Sequence, residues 1–238
     1  MEIKAIKTRI FNENEDLLQF ILKYVKKLPE KSVLVVTSKI VALSEGRTVL
    51  YKDEKQKIAL IKKESNFAFN TKRVWLTVKD GLIMANSGID ESNGNGKLIF
   101  LPKNSFISAD KIRKMLKSKF KVKNLGIIIT DSRILPGRAG VLGIAIGYAG
   151  FKGIRSYVGK KDIFGGIFKM SRTDIADCLA TSAVLCMGEG NERMPISLIT
   201  DAPVEFISKI NKKELYISIN EDIYRPFFNS IKKMKFKK

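Results

Sequence analysis

The sequence predicts a mixed α and β protein, an α+β arrangement within the broad α/β class. Three observations predict it. Leu17, Leu18, Ile21, Tyr24, Val25 and Leu28 recur at helical spacing. Continuous apolar runs such as SVLVVT at 32–37 and LGIIIT at 125–130 read as strands covered on both faces. The connections between such segments are tight, with no low-complexity stretch, internal repeat or long Gly/Ser/Pro linker.

Taken in order, the first helix is stopped by Pro29, and the strand at 32–37 delivers Ser38 and Lys39 at its end. Residues 53–65 read as helix. KRVWLTV and GLIMAN flank Lys79-Asp80-Gly81, a hairpin signature in which Gly supplies the backbone angle of the turn. That hairpin runs into the polar loop SGIDESNGNG. Ser108 is positioned to cap a helix over 109–119, and LGIIIT then leads to Asp131 at the exit of a central strand. The stretch GVLGIAIGYAGFKG reads as a close-packed element in which Gly147, Gly150 and Gly153 serve packing. A helix from about 172 to 187, capped by Ser171 and stopped by Gly188, precedes GEGNERMP and the strand ISLIT at 196–200. Asn220 is placed to cap a terminal helix over 221–233, interrupted near Pro226.

At 238 residues the chain can bury a full core as one large domain or two intimately packed halves. No apolar window is long enough for a membrane span and the first residues lack the continuous apolar segment of a signal peptide, so the expected location is the cytoplasm. The two cysteines, Cys178 and Cys186, fall within one predicted helix at a spacing that suits neither a metal site nor a disulfide framework. His is absent, which removes Ser-His-Asp triads, Cys-His dyads and His-based zinc sites together. Catalysis here must use carboxylates, Lys, Arg, hydroxyls, backbone amides or a metal held by oxygen.

The formal charge of +20 raises nucleic acid as a partner, carried by the runs DKIRKMLKSKFKVKN at 110–124 and IKKMKFKK at 231–238. The excess is mostly Lys spread along the chain, and only ten residues are Arg, the side chain that grips phosphate and bases as a fork. A solvated basic surface is the favoured reading, attraction of small polyanionic ligands the second, and nucleic acid the least favoured.

Three polar loops stand at the ends of predicted elements: Asp90-Glu91-Ser92-Asn93, Asp131-Ser132-Arg133, and Gly188-Glu189-Gly190-Asn191-Glu192. Oxygen ligands on loops held by rigid elements are what Mg²⁺ or Mn²⁺ requires. On spacing alone, the favoured reading is the plainer one, that Asp90 and Asp131 merely cap turns with their carboxylates. Neither a P-loop nor a dinucleotide-binding glycine motif in its strand-turn-helix setting is present.

TSKIVALSEGR, ANSGIDESN, IITDS, GVLGIAIGYAGFKGIRSYVGKKDIFGG and TDIADCLATSAVLCMGEGNERMP occur in the order and approximate spacing of the coenzyme F420-0:L-glutamate ligase family, and the chain resembles that family from about Val33 to Thr200. The resemblance implies a single γ-glutamyl ligase domain over 1–238, of two intimately packed subdomains, in an intertwined homodimer. It implies an enzyme that adds L-glutamate by an amide bond to an acceptor carboxylate through an acyl-phosphate, with GTP (or ATP) as co-substrate and Mg²⁺ or Mn²⁺. Position by position, it makes Asp90 and Asp131 the catalytic and metal-binding acids, with Ser132 and Glu189 as further metal contacts. Ser38, Lys39, Asn93, Gly188, Glu189, Gly190 and Asn191 become the nucleotide contacts. Such phosphoryl transfer is accelerated by positioning and charge neutralisation, which needs no His.

The chain departs from the family pattern at three places. RILPGRAG at 133–140 replaces F-G-R-P-W-R, Leu43 replaces a second lysine, and Phe164-Gly165-Gly166 replaces Y-G-R. The metal-binding pair is kept, so the reaction is expected to be preserved and the acceptor to be the variable part. A folate and the deazaflavin both present a flat heteroaromatic ring and a carboxylate to be extended, and the altered 133–140 segment leans toward folate. A basic nucleic-acid binder or a catalytically silent homologue on the same scaffold stays open as an alternative.

Overall fold

The computed structural model describes residues 1–218 and 220–226. Its centre is a five-stranded sheet in the spatial order β1 (Glu2–Ile6), β12 (Ile196–Thr200), β2 (Ser32–Thr37), β8 (Leu125–Ile134) and β9 (Val141–Ala149). β2 and β8 are parallel and every other neighbouring pair is antiparallel. Val33–Val36 and Ile127–Ile129 are fully buried, as a sheet covered on both faces requires. Side chains alternate between the two faces. Leu34, Val36, Ile127 and Ile129 join the core under helices α1 (Leu17–Tyr24), α2 (Ser38–Ser44) and α4 (Ser105–Phe120). Val33, Val35 and Ile128 face helix α5 (Ile175–Met187) with Leu179, Ala180 and Ala183. Burying each such aliphatic side chain contributes roughly 1.5–3 kcal/mol.

A smaller lobe is inserted between α2 and α4. It holds the pair β3 (Thr48–Leu50) and β7 (Lys97–Ile99), helix α3 (Glu54–Glu64), and the antiparallel sheet β4 (Phe67–Asn70), β5 (Trp75–Lys79) and β6 (Leu82–Ala85). Its own core contains Ile61, Ile89, Leu98 and Phe100. The turn between β5 and β6 is the expected one: Asp80 (φ 51°) and Gly81 (φ 81°) both take the left-handed backbone that a tight hairpin demands. A final pair, β10 (Ile154–Ser156) and β11 (Arg172–Asp174), precedes α5. No helix among the described residues is long and apolar enough to cross a membrane.

Several boundaries differ from the sequence reading. α1 ends at Tyr24, with Val25 extended, well before Pro29, although Leu28 is still buried. α4 is capped by Asn104, whose side chain accepts from the Ile107 N–H, while Ser108 lies inside the helix and donates to Glu45. α5 begins at Ile175 behind Asp174, because residues 172–174 pair with β10 instead. β8 does not stop at Thr130: it runs on through Asp131 to Ile134, held by β9. The glycine assignment holds: a Cβ at Gly147, Gly150 or Gly153 would lie 2.4 Å from Ser105, 2.1 Å from the Leu125 carbonyl or 2.4 Å from the Tyr148 hydroxyl. Cys178 and Cys186 are exposed on α5. The basic run at 231–238 and most of the expected terminal helix lie outside the described residues.

Candidate active site

The parallel pairing of β2 with β8 creates the site. Its register sets Thr37 opposite Thr130, so the next residues, Ser38 and Asp131, emerge side by side where β2 gives way to α2. Crevices at the carboxyl ends of parallel strands are where open sheets bind ligands. The Ser38 hydroxyl donates to Asp131 Oδ1 at 2.9 Å. The β8–β9 ladder shifts register between Ile129 and Thr130, a bulge directly before Asp131 of the kind that re-aims side chains beside active sites.

Asp90 arrives from the smaller lobe. Asn86 (φ 51°), Ser87 (φ 55°) and Gly88 (φ 69°) form a left-handed run that turns the chain out of β6. At Gly88 a Cβ would also lie 2.6 Å from the Leu101 side chain, so this glycine is required twice over. Ser87 is fully buried, its N–H donating to Thr77 Oγ1 and its hydroxyl to the Ile61 carbonyl. The Asp90 backbone then bridges Ile99. Lys39 Nζ reaches across 2.7 Å to Asp90 Oδ2 and 2.8 Å to the Ser92 carbonyl.

The third segment follows α5. Gly188 breaks that helix with φ 80°, and Ser132 donates to Glu189 Oε2 at 2.7 Å. Asn93 Nδ2 lies 3.4 Å from the Gly190 carbonyl, and Glu192 accepts from the Gly190 N–H at 2.8 Å. Ser38, Lys39, Asp90, Asn93, Asp131, Ser132, Glu189 and Gly190, distant in sequence, therefore form one linked constellation. Asn191 lies in the same loop, exposed, and makes none of these contacts. Of the departures, Leu43 packs against the main core, Phe164 is exposed on the arm between β10 and β11, and residues 134–140 form the exposed end of the β8–β9 hairpin.

Ser92 has no role in the sequence reading beyond its place in the 90–93 loop, yet it binds Asp90 twice, through its N–H to Oδ1 and its hydroxyl to Oδ2, both at 2.7 Å. The D-x-S spacing of an Asx-type turn was its legible signal.

The two acids occupy different electrostatic settings. Burial pushes the Asp131 carboxyl up to about 7, and the negative charge of Asp90 adds to that rise against the opposing Ser38 hydrogen bond. At Asp90 burial also works against the charge, but hydrogen bonds from Lys39 and Ser92 hold the carboxyl below the usual carboxylate range. A half-buried acid beside a second acid is relieved by a cation. The donors are all oxygen, the set that suits Mg²⁺ or Mn²⁺. Among the described residues no three acidic side chains converge closely enough to cage an ion alone. Mg²⁺ characteristically takes one or two carboxylates and completes its shell with phosphate and water, so the residues fit such an ion.

The sequence profile described as F420-0:gamma-glutamyl ligase matches residues 5–201. The chain belongs to the F420-0:gamma-glutamyl ligase family. Relatives in this ligase family include the coenzyme F420:L-glutamate ligase of Methanococcus maripaludis strain C7, 36% identical over 94% of this chain and 97% of that one. The protein of the same name from Methanosarcina mazei is 30% identical over 99% of this chain and all of that one. That of Methanocaldococcus jannaschii is 42% identical over 62% of this chain and 58% of its own.

Proposed function

We propose that the protein is a γ-glutamyl ligase that joins L-glutamate, through its amine, to a carboxylate of F420-0, at the expense of GTP or ATP. The observation that carries this reading is the convergence of Ser38, Lys39, Asp90, Asp131, Ser132 and Glu189 at the carboxyl ends of β2 and β8, in a chain of this family. An acceptor carboxylate oxygen attacks the γ-phosphorus and the nucleoside diphosphate leaves. The glutamate amine then attacks the acyl carbon of the resulting acyl-phosphate, phosphate departs, and the nitrogen sheds a proton to leave the amide.

Both partners of the first step are anions, so the site must supply positive charge and fixed geometry. Asp90, Asp131, Ser132 and Glu189 would hold Mg²⁺ or Mn²⁺. When bound, the ion supplies charge neutralisation at the phosphate oxygens. Lys39, fixed by the 90–92 loop, would add a second positive charge toward the phosphates. Ser38 orients Asp131, and Asn93 and Gly190 link the 90–93 and 188–192 loops, which would flank the phosphates.

The curated relatives are named for the deazaflavin coenzyme, which favours F420-0 as acceptor. The altered 133–140 segment favours a folate, and one assay separates the two. Labelled glutamate, Mn²⁺, and GTP or ATP are supplied with either acceptor. Incorporation into F420-0 is the expected result, incorporation into folate alone would reassign the acceptor, and incorporation into neither would overturn the ligase reading.

We read the working unit as a homodimer of two-subdomain chains, the smaller lobe being the second subdomain. The arm between β10 and β11 exposes Ile163 (91%), Phe164 (91%) and Met170 (80%), an apolar surface of the sort that marks protein contacts. Sedimentation at twice the chain mass of 26.8 kDa is expected, and a monomer at micromolar concentration would contradict it.

A further inference from the structure

We infer that Tyr51 and Lys57, acting through Glu91, are positioning residues that set the loop carrying Asp90 and Ser92 and so tune the site's affinity for divalent cation and nucleotide. The inference rests on the proposed reading of that loop as the metal and phosphate site.

Lys57 is the anomaly from which it starts. It lies in the first turn of α3, where the helix dipole disfavours a cation, and its side chain is only 15% exposed. Its ammonium is directed at Glu91, 3.2 Å away, with Glu54 at 3.6 Å. Tyr51 donates to the same Glu91 carboxylate at 2.9 Å. Burial opposes the charge on Lys57, but Glu91 and Glu54 outweigh it and hold the ammonium above its usual range. Two side chains, one from the β3–α3 connection and one from α3, are thus spent on a half-exposed carboxylate that lies between Asp90 and Ser92 in the chain.

The same helix grips the segment at its other end. Ile61, one turn beyond Lys57 on α3, accepts from the buried Ser87 hydroxyl. α3 therefore holds residues 87–91 at both ends, with Asp90 between the two anchors. Its backbone bridge to Ile99 fixes where the Asp90 main chain lies. The Glu91 anchor fixes how the chain leaves it, and that exit carries the Ser92 carbonyl and hydroxyl that hold Lys39. Groups that orient ligand-bearing elements typically change metal affinity 10–100-fold when removed.

The test uses the full chain and reads Mn²⁺ binding directly, from the electron paramagnetic resonance signal of free Mn²⁺, alongside steady-state kinetics with GTP. Glu91→Ala and Lys57→Met are each expected to weaken Mn²⁺ binding about tenfold and to raise KM for GTP more than they lower kcat. Glu91→Gln keeps an acceptor for Tyr51 and is expected to fall between wild type and Glu91→Ala. The double variant Lys57→Met/Glu91→Ala is expected to be no weaker than Glu91→Ala alone, since both remove one interaction. Tyr51→Phe, which keeps the ring, covers the case in which Glu91→Ala fails to fold. Wild-type Mn²⁺ affinity in folded Glu91→Ala or, failing that, in Tyr51→Phe would overturn the inference, as would multiplying effects in the double variant. Asp90→Ala separates the two levels. If it too binds Mn²⁺ normally, the reading of the site has failed; if it alone loses Mn²⁺, only the positioning role has.

Discussion

Helix α5 has an acidic cluster at each end, and the two are built differently. At its start, Asp177 accepts from the Ala145 N–H, Asp174 from the Asp177 N–H, and Glu214 from the Gly153 N–H and the Tyr148 hydroxyl. At its end, Asp90 and Asp131 each accept one backbone N–H, from Ser92 and Ser132, but Glu189, Asp131 and Asp90 are also met by side chains that can rotate: the hydroxyls of Ser132, Ser38 and Ser92 and the ammonium of Lys39. Acids locked by backbone amides stiffen a fold. Acids held by hydroxyls and an amine can exchange those partners for a ligand. The contrast teaches that a cluster of carboxylates identifies a site only once the donors facing it are known.

Substitutions at the two ends should therefore separate activity from stability. The largest effect is expected at the far end: Asp131→Asn or Asp90→Asn should lower ligation by about 10²–10³ or more, with folding retained, measured by glutamate incorporation and thermal melting. Asp131→Asn should also raise the melting temperature, because it removes a buried charge that the fold holds at a disadvantage.

At the near end, Glu214→Ala would leave the buried Tyr148 hydroxyl and the Gly153 N–H without their acceptor. Asp177→Ala would do the same to the Ala145 N–H. Each is expected to lower stability by roughly 1–3 kcal/mol in urea unfolding while the folded fraction keeps its kcat. A loss of kcat without a loss of stability would break the contrast.

Ser38→Ala should have an intermediate effect, about tenfold in rate, since it removes a single neutral donor from Asp131 and leaves the acid in place. The smallest effect concerns pH. Burial, with the neighbouring Asp177 charge, raises the Asp174 carboxyl to about 6. Because this folded value lies above the unfolded one, the contribution is fully present below about pH 4 and is lost as pH rises through about 6. Asp174→Asn keeps an N-cap acceptor without the charge. It should be more stable than wild type at pH 8, by about 1 kcal/mol after allowing for solvent screening, and should show no such advantage at pH 4.

Much of the frame was legible because it is local. The apolar run at 32–37, the Asp80-Gly81 turn and the strand at 196–200 each declare themselves within a few residues. What escaped depends on partners distant in sequence. Asp131-Ser132-Arg133 reads as loop by composition but is strand because β9 pairs with it. Residues 172–174 read as the start of a helix but pair with β10. Asn104 and Ser108 are equally good caps on paper, and the polar side chain nearer the start of the helical run took the role. At the site, the motifs named Asp90 and Asp131. That Ser38 lies against Asp131, and Lys39 against Asp90, follows from strand register and lobe packing, which no local pattern encodes.

The central claim is that Asp90 and Asp131 act in one site that drives glutamate ligation. Its most direct test is glutamate incorporation into F420-0, with GTP and Mn²⁺, by wild type, Asp90→Asn and Asp131→Asn at equal folded concentration. Robust incorporation by wild type and near-complete loss in both variants is the predicted result. Near-normal incorporation by either folded variant would contradict it.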